Sequence, residues 1–147
     1  MILLRPFTLN DRAVIREKMM PGASDGDVDS VIAEWQTKTF NGSFFEMLAL
    51  TANGTVVGSV SLYERSKTLA SVGIEVFPEY RGEGYAYAGM LLMLESAAAR
   101  GYRTIMDQVR LDNRASIALH KKLGFETDGY TYKNAKDNEV FIWFLCL

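Results

Sequence analysis

Cysteine, histidine and long apolar runs are all scarce in these 147 residues. The single cysteine, Cys146, rules out an internal disulfide and any multi-cysteine metal site. That scarcity suits a reducing, cytoplasmic setting. The single histidine, His120, excludes the paired-histidine zinc motifs, and no metal site is expected. The longest apolar stretches, 85–94 and 140–147, fall well short of the roughly 20 residues a spanning helix needs, so no membrane association is expected. No basic segment precedes an apolar one at the N-terminus, and no signal peptide is read. Charge of one sign is missing as well. Lys plus Arg number 16 and Asp plus Glu 18, for a net charge of −2, so nothing advertises nucleic acid. There is no repeat and no low-complexity linker.

The remainder is globular in character. Hydrophobic residues make up 48% and charged residues 23%, which argues against disorder. The length suits one domain, 1–147, large enough to bury a core unaided. An apolar run at 2–5, stopped by Pro6, reads as a strand. Asn10 or Asp11 caps a helix running to about Met20, and Pro21-Gly22 breaks it. Asp27 or Asp29 opens a second helix with Val28, Ile32 and Trp35 on one face. Strands at 44–51 and 55–64 flank Asn53-Gly54, the dipeptide of a two-residue hairpin, because both turn positions need positive φ. Residues 69–77 form a third strand. The period then becomes helical at Ala86, Met90, Met93, Leu94 and Ala97, with Gly101 as the stop. A strand at 104–111 follows, then a short helix at 114–123 capped by Asp112 or Asn113 and closed by Gly124. Strands at 125–132 and 139–147 finish the chain. In the last of these Cys146 reads as a packing thiol. The layout is α+β: a mixed, mostly antiparallel sheet of six to seven strands covered by about four helices.

The most informative stretch is Val76-Phe77-Pro78-Glu79-Tyr80-Arg81-Gly82-Glu83-Gly84-Tyr85-Ala86. A strand ends, a glycine-bearing turn follows and a helix starts. Amides at a helix N-terminus lack internal partners and carry the positive end of the helix dipole, which makes an anion site. Arg81 adds a fixed charge at its rim. A P-loop is excluded because no Gly-x-x-x-x-Gly-Lys occurs. A dinucleotide fold is excluded because Tyr87 stands where the third glycine belongs and the preceding strands read as antiparallel.

Arg81-x-x-Gly84-x-Ala86 resembles the Arg/Gln-x-x-Gly-x-Gly/Ala signature of the GCN5-related N-acetyltransferase (GNAT) family. Downstream, Asn113-Arg-Ala-Ser116-Ile-Ala-Leu-His120-Lys-Lys-Leu-Gly124-Phe125 is similar to that family's Asn-x-x-Ser-x-x-Leu-Tyr-x-x-x-Gly-Phe segment. The order of elements agrees too, so the resemblance covers nearly the whole chain. It implies a GNAT-like fold and an acetyl-CoA-dependent N-acetyltransferase that acts directly on a primary amine. Ile74 and Val76 would lend backbone groups to the pantetheine arm. Arg81, Gly82, Glu83, Gly84, Tyr85 and Ala86 would hold the pyrophosphate. Asn113 and Ser116 would lie beside the cofactor, and Asn113 also suits a helix N-cap. A homodimer is a common habit of the family.

Direct transfer needs a base for the amine, a donor for the oxyanion and a proton for the departing thiolate. The resemblance points to a backbone N–H near Val76 or Phe77 as the donor. His120 stands where the family usually has tyrosine, and imidazole can supply a proton near neutral pH. Histidine there, in Ser-Ile-Ala-Leu-His, resembles the phosphinothricin/methionine-sulfoximine acetyltransferase branch. Glu75 is the candidate base, directly or through water. That branch carries a glutamate earlier on the strand, where this chain has Ser71. The acceptor would be a small amine or amino-acid-like molecule. The run from Ala23 to Glu34, with Asp25, Asp27 and Asp29 and no Lys or Arg, would either attract a cationic amine or simply cap a helix. Three rivals stay open. One is a peptide or protein N-acetyltransferase. The second is a CoA-binding module with little catalysis. The third is a hydrolase built on Ser116 and His120, four apart on one helix face, for which the sequence places no acid.

Overall fold

The computed structural model describes residues 1–147. Strand β1 (Ile2–Pro6) leads through a 3-10 turn (Leu9–Asp11) into a single α-helical turn, α1 (Arg12–Val14), which continues as a π-helical turn (Ile15–Met19). Helix α2 (Asp25–Gln36) and strand β2 (Thr39–Phe40) follow. The centre is β3 (Ser43–Ala52), β4 (Thr55–Glu64) and β5 (Leu69–Val76), then α3 (Tyr85–Ala99), β6 (Thr104–Arg110) and α4 (Arg114–Lys122). Strands β7 (Glu126–Thr127), β8 (Tyr132–Lys133) and β9 (Glu139–Cys146) complete the chain. The main sheet runs β1-β3-β4-β5-β6-β9-β7, with β2 on β3 and β8 on β9. Asn53 and Gly54 turn the β3–β4 hairpin with φ of 51° and 86°, as the dipeptide requires. No helix is long and apolar enough to cross a membrane.

One feature of this sheet positions everything else. Every pairing is antiparallel except β5 with β6, and those two meet only at Leu69↔Thr104 and Ala70↔Ile105. Beyond Ala70 they diverge, so most of β5 has a free edge facing a split. Helix α3 is the crossover between them. It packs Met90, Met93 and Ala97 onto Leu50, Val60, Leu62 and Val72. Burial of each such large side chain contributes roughly 1.5–3 kcal/mol. On the opposite face Phe7, Ile15, Val28, Ile32 and Ala49 form a smaller cluster under the N-terminal helices.

Several elements differ from the sequence-based expectation. Thr8, not Asn10 or Asp11, caps the first helical segment, in a capping box that has Asp11 as its acidic partner. Ser24 caps α2, which starts at Asp25, two residues before Asp27, and Asp27 closes the same kind of box. The strand expected at 125–132 is interrupted: Asp128 accepts from the Tyr130 amide (2.9 Å) and the Tyr132 hydroxyl (2.6 Å), leaving two short pieces. Cys146 is exposed rather than packed. Two of the acids in the α2 run are paired at the surface. Arg12 chelates Asp29 with two contacts of 2.8 Å, and Arg16 pairs with Asp25. No free acidic patch for a cationic amine remains at those two aspartates.

Asp11 is buried, takes two hydrogen bonds from Arg5 (2.8 and 2.9 Å) and accepts the Thr8 amide at 2.9 Å. The Arg5 guanidinium holds its carboxyl below the ordinary value of 3.8. A depressed folded-state value means the contribution is complete above about 3.8 and is lost as pH falls below it. Asp11→Asn is therefore expected to lower stability at pH 7 and to flatten the acid limb below pH 4. Urea unfolding at pH 3 and pH 7 checks this, and an equal mutational effect at both pH values would contradict it.

Candidate active site in the split of the sheet

The turn after β5 lays bare a row of amides. Pro78–Tyr80 makes a 3-10 turn, and the Arg81 amide closes it on the Pro78 carbonyl (3.3 Å). The next six N–H groups, Gly82 through Tyr87, meet no acceptor within the chain; the first helical bond of α3 is Ala88 N–H to the Gly84 carbonyl (3.2 Å). Gly82 and Gly84 sit at φ of 84° and 81°, in the left-handed region that favours glycine, and a Cβ at either would point into open space. No side chain caps α3 and no acidic residue occupies its first turn. The expected amide row thus begins one residue later, at Gly82, and extends one further than Ala86. Its electrostatics suit an anion. The Arg81 Nε donates to the Val76 carbonyl (3.0 Å), which tethers the guanidinium beside the row.

The free edge of β5 supplies a second set of backbone donors. The Phe77 amide bonds the Val57 carbonyl (2.9 Å), so of the two amides expected as donors only that of Val76 stays open. Along an antiparallel strand N–H directions alternate. Val72, Ile74 and Val76 therefore turn their N–H groups into the split. Val72 finds a protein acceptor there, the Asp107 Oδ1 at 2.9 Å. Ile74 and Val76 lie beyond the last β5–β6 pair, where no neighbouring strand remains.

A groove of about 660 Å³ joins the two sets. Ile74, Glu75, Val76, Arg81, Gly82, Gly84, Tyr85, Ala86, Asn113 and Ser116 all line it, so ten of the twelve residues singled out from the sequence converge on one surface. Glu83 belongs to the amide row but does not line the groove. Asn113 caps α4 through Oδ1, which accepts the Ser116 amide at 3.1 Å. Lys122, unremarked in the sequence, adds a cation at the groove and lies 4.2 Å from the Tyr87 ring centre. Glu75 is exposed and opposite Ser59 on the ladder, as strand alternation requires. Ser71 Oγ donates to the Met106 carbonyl at the base of the split.

His120 is the twelfth residue, and the structure does not bring its ring to the groove. The side chain is 3% exposed and packs against Phe125 and Trp143, whose own indole N–H is buried without an acceptor. Its Nε2 lies 2.9 Å from the Asp107 Oδ2, and its Nδ1 2.8 Å from the Ser116 carbonyl and 3.3 Å from the Ser116 Oγ. The expectation of an imidazole facing the departing thiolate is thereby corrected. The His120 ring turns toward Asp107 on β6 and Trp143 on β9, while Ala115, Ser116, Ala118, Leu119 and Lys122 of the same helix line the groove. Asp107 was missed. Its signal is nonetheless in the sequence: Ile105, Asp107 and Val109 alternate onto one face of β6, and a carboxylate on a core face needs a partner.

The split sheet with its free strand edge, and the helix N-terminus presenting unpartnered amides at its mouth, define a groove suited to an extended ligand with an anionic end. Residues 13–125 match the model of the acetyltransferase (GNAT) family, and the chain belongs to that family. It is 36% identical over 80 residues to a protein of Yersinia pestis (strain Pestoides F) named acetyltransferase, an alignment that covers 54% of this chain and 57% of that one. It is 30% identical over 88 residues to the L-methionine sulfoximine/L-methionine sulfone acetyltransferase of Pseudomonas paraeruginosa (strain DSM 24068 / PA7), covering 56% of this chain and 51% of that one. The chain thus spans little more than half the length of these relatives. In fold it is similar to the spermidine N-acetyltransferase of Vibrio cholerae, solved with CoA and spermine. That match has a TM-score of 0.80 and 17% identity, and covers 99% of this chain and 95% of that one.

Proposed function

We propose that residues 1–147 act as a single acetyl-CoA-binding domain that transfers an acetyl group directly to the primary amine of a small, amino-acid-like acceptor. The observation that carries this reading is the row of six free amides, Gly82–Tyr87, beside the free edge of β5. Two phosphate groups of a CoA-type ligand match a row of N–H donors with Arg81 tethered at its side. The arm of such a ligand carries amide groups that suit the open N–H groups of Ile74 and Val76, and its reactive end would then lie toward the throat of the split. When bound, acetyl-CoA supplies an acyl group already activated as a thioester.

The chain's own residues would do three things there. The Val76 N–H would donate to the oxygen that becomes negative on attack, a fixed dipole that needs no reorganisation. Glu75, exposed at the groove wall, would take the amine's proton directly or through water. Asn113 and Ser116 would hold the far wall from the start of α4. The amino-acid-like acceptor draws its support from the similarity to the methionine sulfoximine/sulfone acetyltransferase.

Two measurements test this. Thiol release from acetyl-CoA is expected with methionine sulfone or a related amino acid; release with short peptides alone would move the acceptor to proteins. Glu75→Gln is expected to lower kcat about 10²-fold while leaving the KM for acetyl-CoA near the wild-type value. An unchanged kcat would remove Glu75 as the base.

A further inference from the structure

We propose that Asp107, His120 and Ser116 form a proton line that ends in the groove at the Ser116 hydroxyl, and that this hydroxyl, not the imidazole, protonates the thiolate leaving in acetyl transfer. The inference rests on the transferase reading above. It starts from the environment of the one histidine. Asp107 and His120 are 5% and 3% exposed, so the pair is sealed from water. Asp107 is the ionisable partner of the ring, and Phe125 and Trp143 pack against it from outside α4.

Both ring nitrogens face oxygens. Nε2 meets a carboxylate oxygen at 2.9 Å and Nδ1 meets the Ser116 carbonyl at 2.8 Å. A backbone carbonyl only accepts, and so does an ionised carboxylate, so these contacts call for a proton on each ring nitrogen, with that on Nδ1 pointing toward Ser116. That N–H is shared with the Ser116 Oγ at 3.3 Å, which makes the hydroxyl an acceptor on its inner side. The hydroxyl's own proton then points away from the ring. Ser116 lines the groove and His120 does not. The line therefore has one outlet. Asp107 fixes its other end, because Oδ1 is occupied by the Val72 amide at 2.9 Å while Oδ2 holds the ring. The acid that sequence could not place beside Ser116 and His120 is thus present. It is arranged to feed a proton outward.

The step balances. The amine nitrogen forms its bond to the acyl carbon and the carbon–sulfur bond breaks, with its electron pair leaving on sulfur. Ser116 Oγ–H gives its proton to that sulfur, and the Oγ takes the Nδ1 proton. The ring keeps the proton it shares with Asp107. The proton that the amine loses to Glu75 or solvent restores Nδ1 through water in the groove once the products leave. Ser116 is the catalytic group in this scheme; His120 and Asp107 act through it.

Because the chain has a single histidine, the line can be observed without turnover. In protein labelled with 15N-histidine, one imidazole gives the nitrogen resonances. At pH 7 Nδ1 is expected to be protonated; a ring protonated only at Nε2 would overturn the line. Kinetics form the second arm. Ser116→Ala, on a half-buried helix face, is expected to fold, to lose about 10²-fold in kcat, and to hold the KM for acetyl-CoA within about threefold. Ser116→Thr, which keeps the hydroxyl, is expected to restore most of that loss. Wild-type kcat in Ser116→Ala would overturn the proposal. So would a loss in both variants alike. If the wild-type protein releases no thiol with any amine while Nδ1 is protonated, the transferase reading itself fails, and the proposed role of the line fails with it.

Discussion

Gly84→Asp is expected to weaken acetyl-CoA binding about 10³-fold while the protein stays folded. Gly84 is the N-cap of α3, at φ of 81°. Aspartate is among the few residues that visit this region, and the strain of about 1–2 kcal/mol is small enough for the protein to stay folded. The ligand should. The Cβ at this position points into open space at the groove, and the new carboxylate would sit among amides that otherwise have no acceptor. A unit charge about 4 Å from a phosphate charge, at an effective dielectric of about 20, costs about 4 kcal/mol, which is nearly three decades in affinity. Calorimetric titration of the variant with acetyl-CoA checks this, alongside its Tm. Wild-type affinity in a folded variant would show that the amide row does not hold the ligand.

Gly58→Ala is expected to be the most damaging single methyl in the chain. Gly58 stands opposite Val76 on the β4–β5 ladder, and a Cβ there would fall 2.0 Å from the Glu75 carbonyl oxygen and 3.0 Å from the Val76 Cα. Neither is a side chain that can swing aside. The two strands must separate at the very residues that carry the proposed base and oxyanion donor. Overpacking against unyielding neighbours costs about 3 kcal/mol, or roughly 6–12 °C in Tm for a chain of this length. A displacement near 1 Å of the Val76 N–H would also lower turnover about 10²-fold. Thermal unfolding and kcat read the two effects separately. An unchanged Tm would mean that the β4–β5 ladder is looser at Gly58 than the register implies.

The order of elements was legible because its signals are local. Asn53-Gly54 needs two positive φ values, the apolar spacing of α3 is helical, and Pro78 and Gly101 end what precedes them. The anion site was legible for the same reason: glycines at 82 and 84 between a strand and a helix state a backbone geometry. What could not be read depends on contacts far apart in sequence. Nothing near Asp25 or Asp29 shows that Arg16 and Arg12 will pair with them, because that needs α1 and the π-helical turn to pack beside α2. Nothing near Phe77 shows that its amide is spent on Val57 while that of Val76 is not; ladder phase decides it. His120 was the largest difference. Its place in the segment, after Leu119 and before Lys121, fits a residue facing the groove. Asp107, from a strand 13 residues earlier, turns its ring inward instead.

The central claim is that the amides of Gly82–Tyr87 and the open N–H groups of Ile74 and Val76 bind one ligand. Backbone 15N–1H spectra recorded during titration with CoA test it most directly. The largest shifts are expected at Gly82–Tyr87, with Ile74 and Val76 moving at the same ligand concentration. Saturable binding that leaves those amides in place and shifts residues elsewhere would contradict the account.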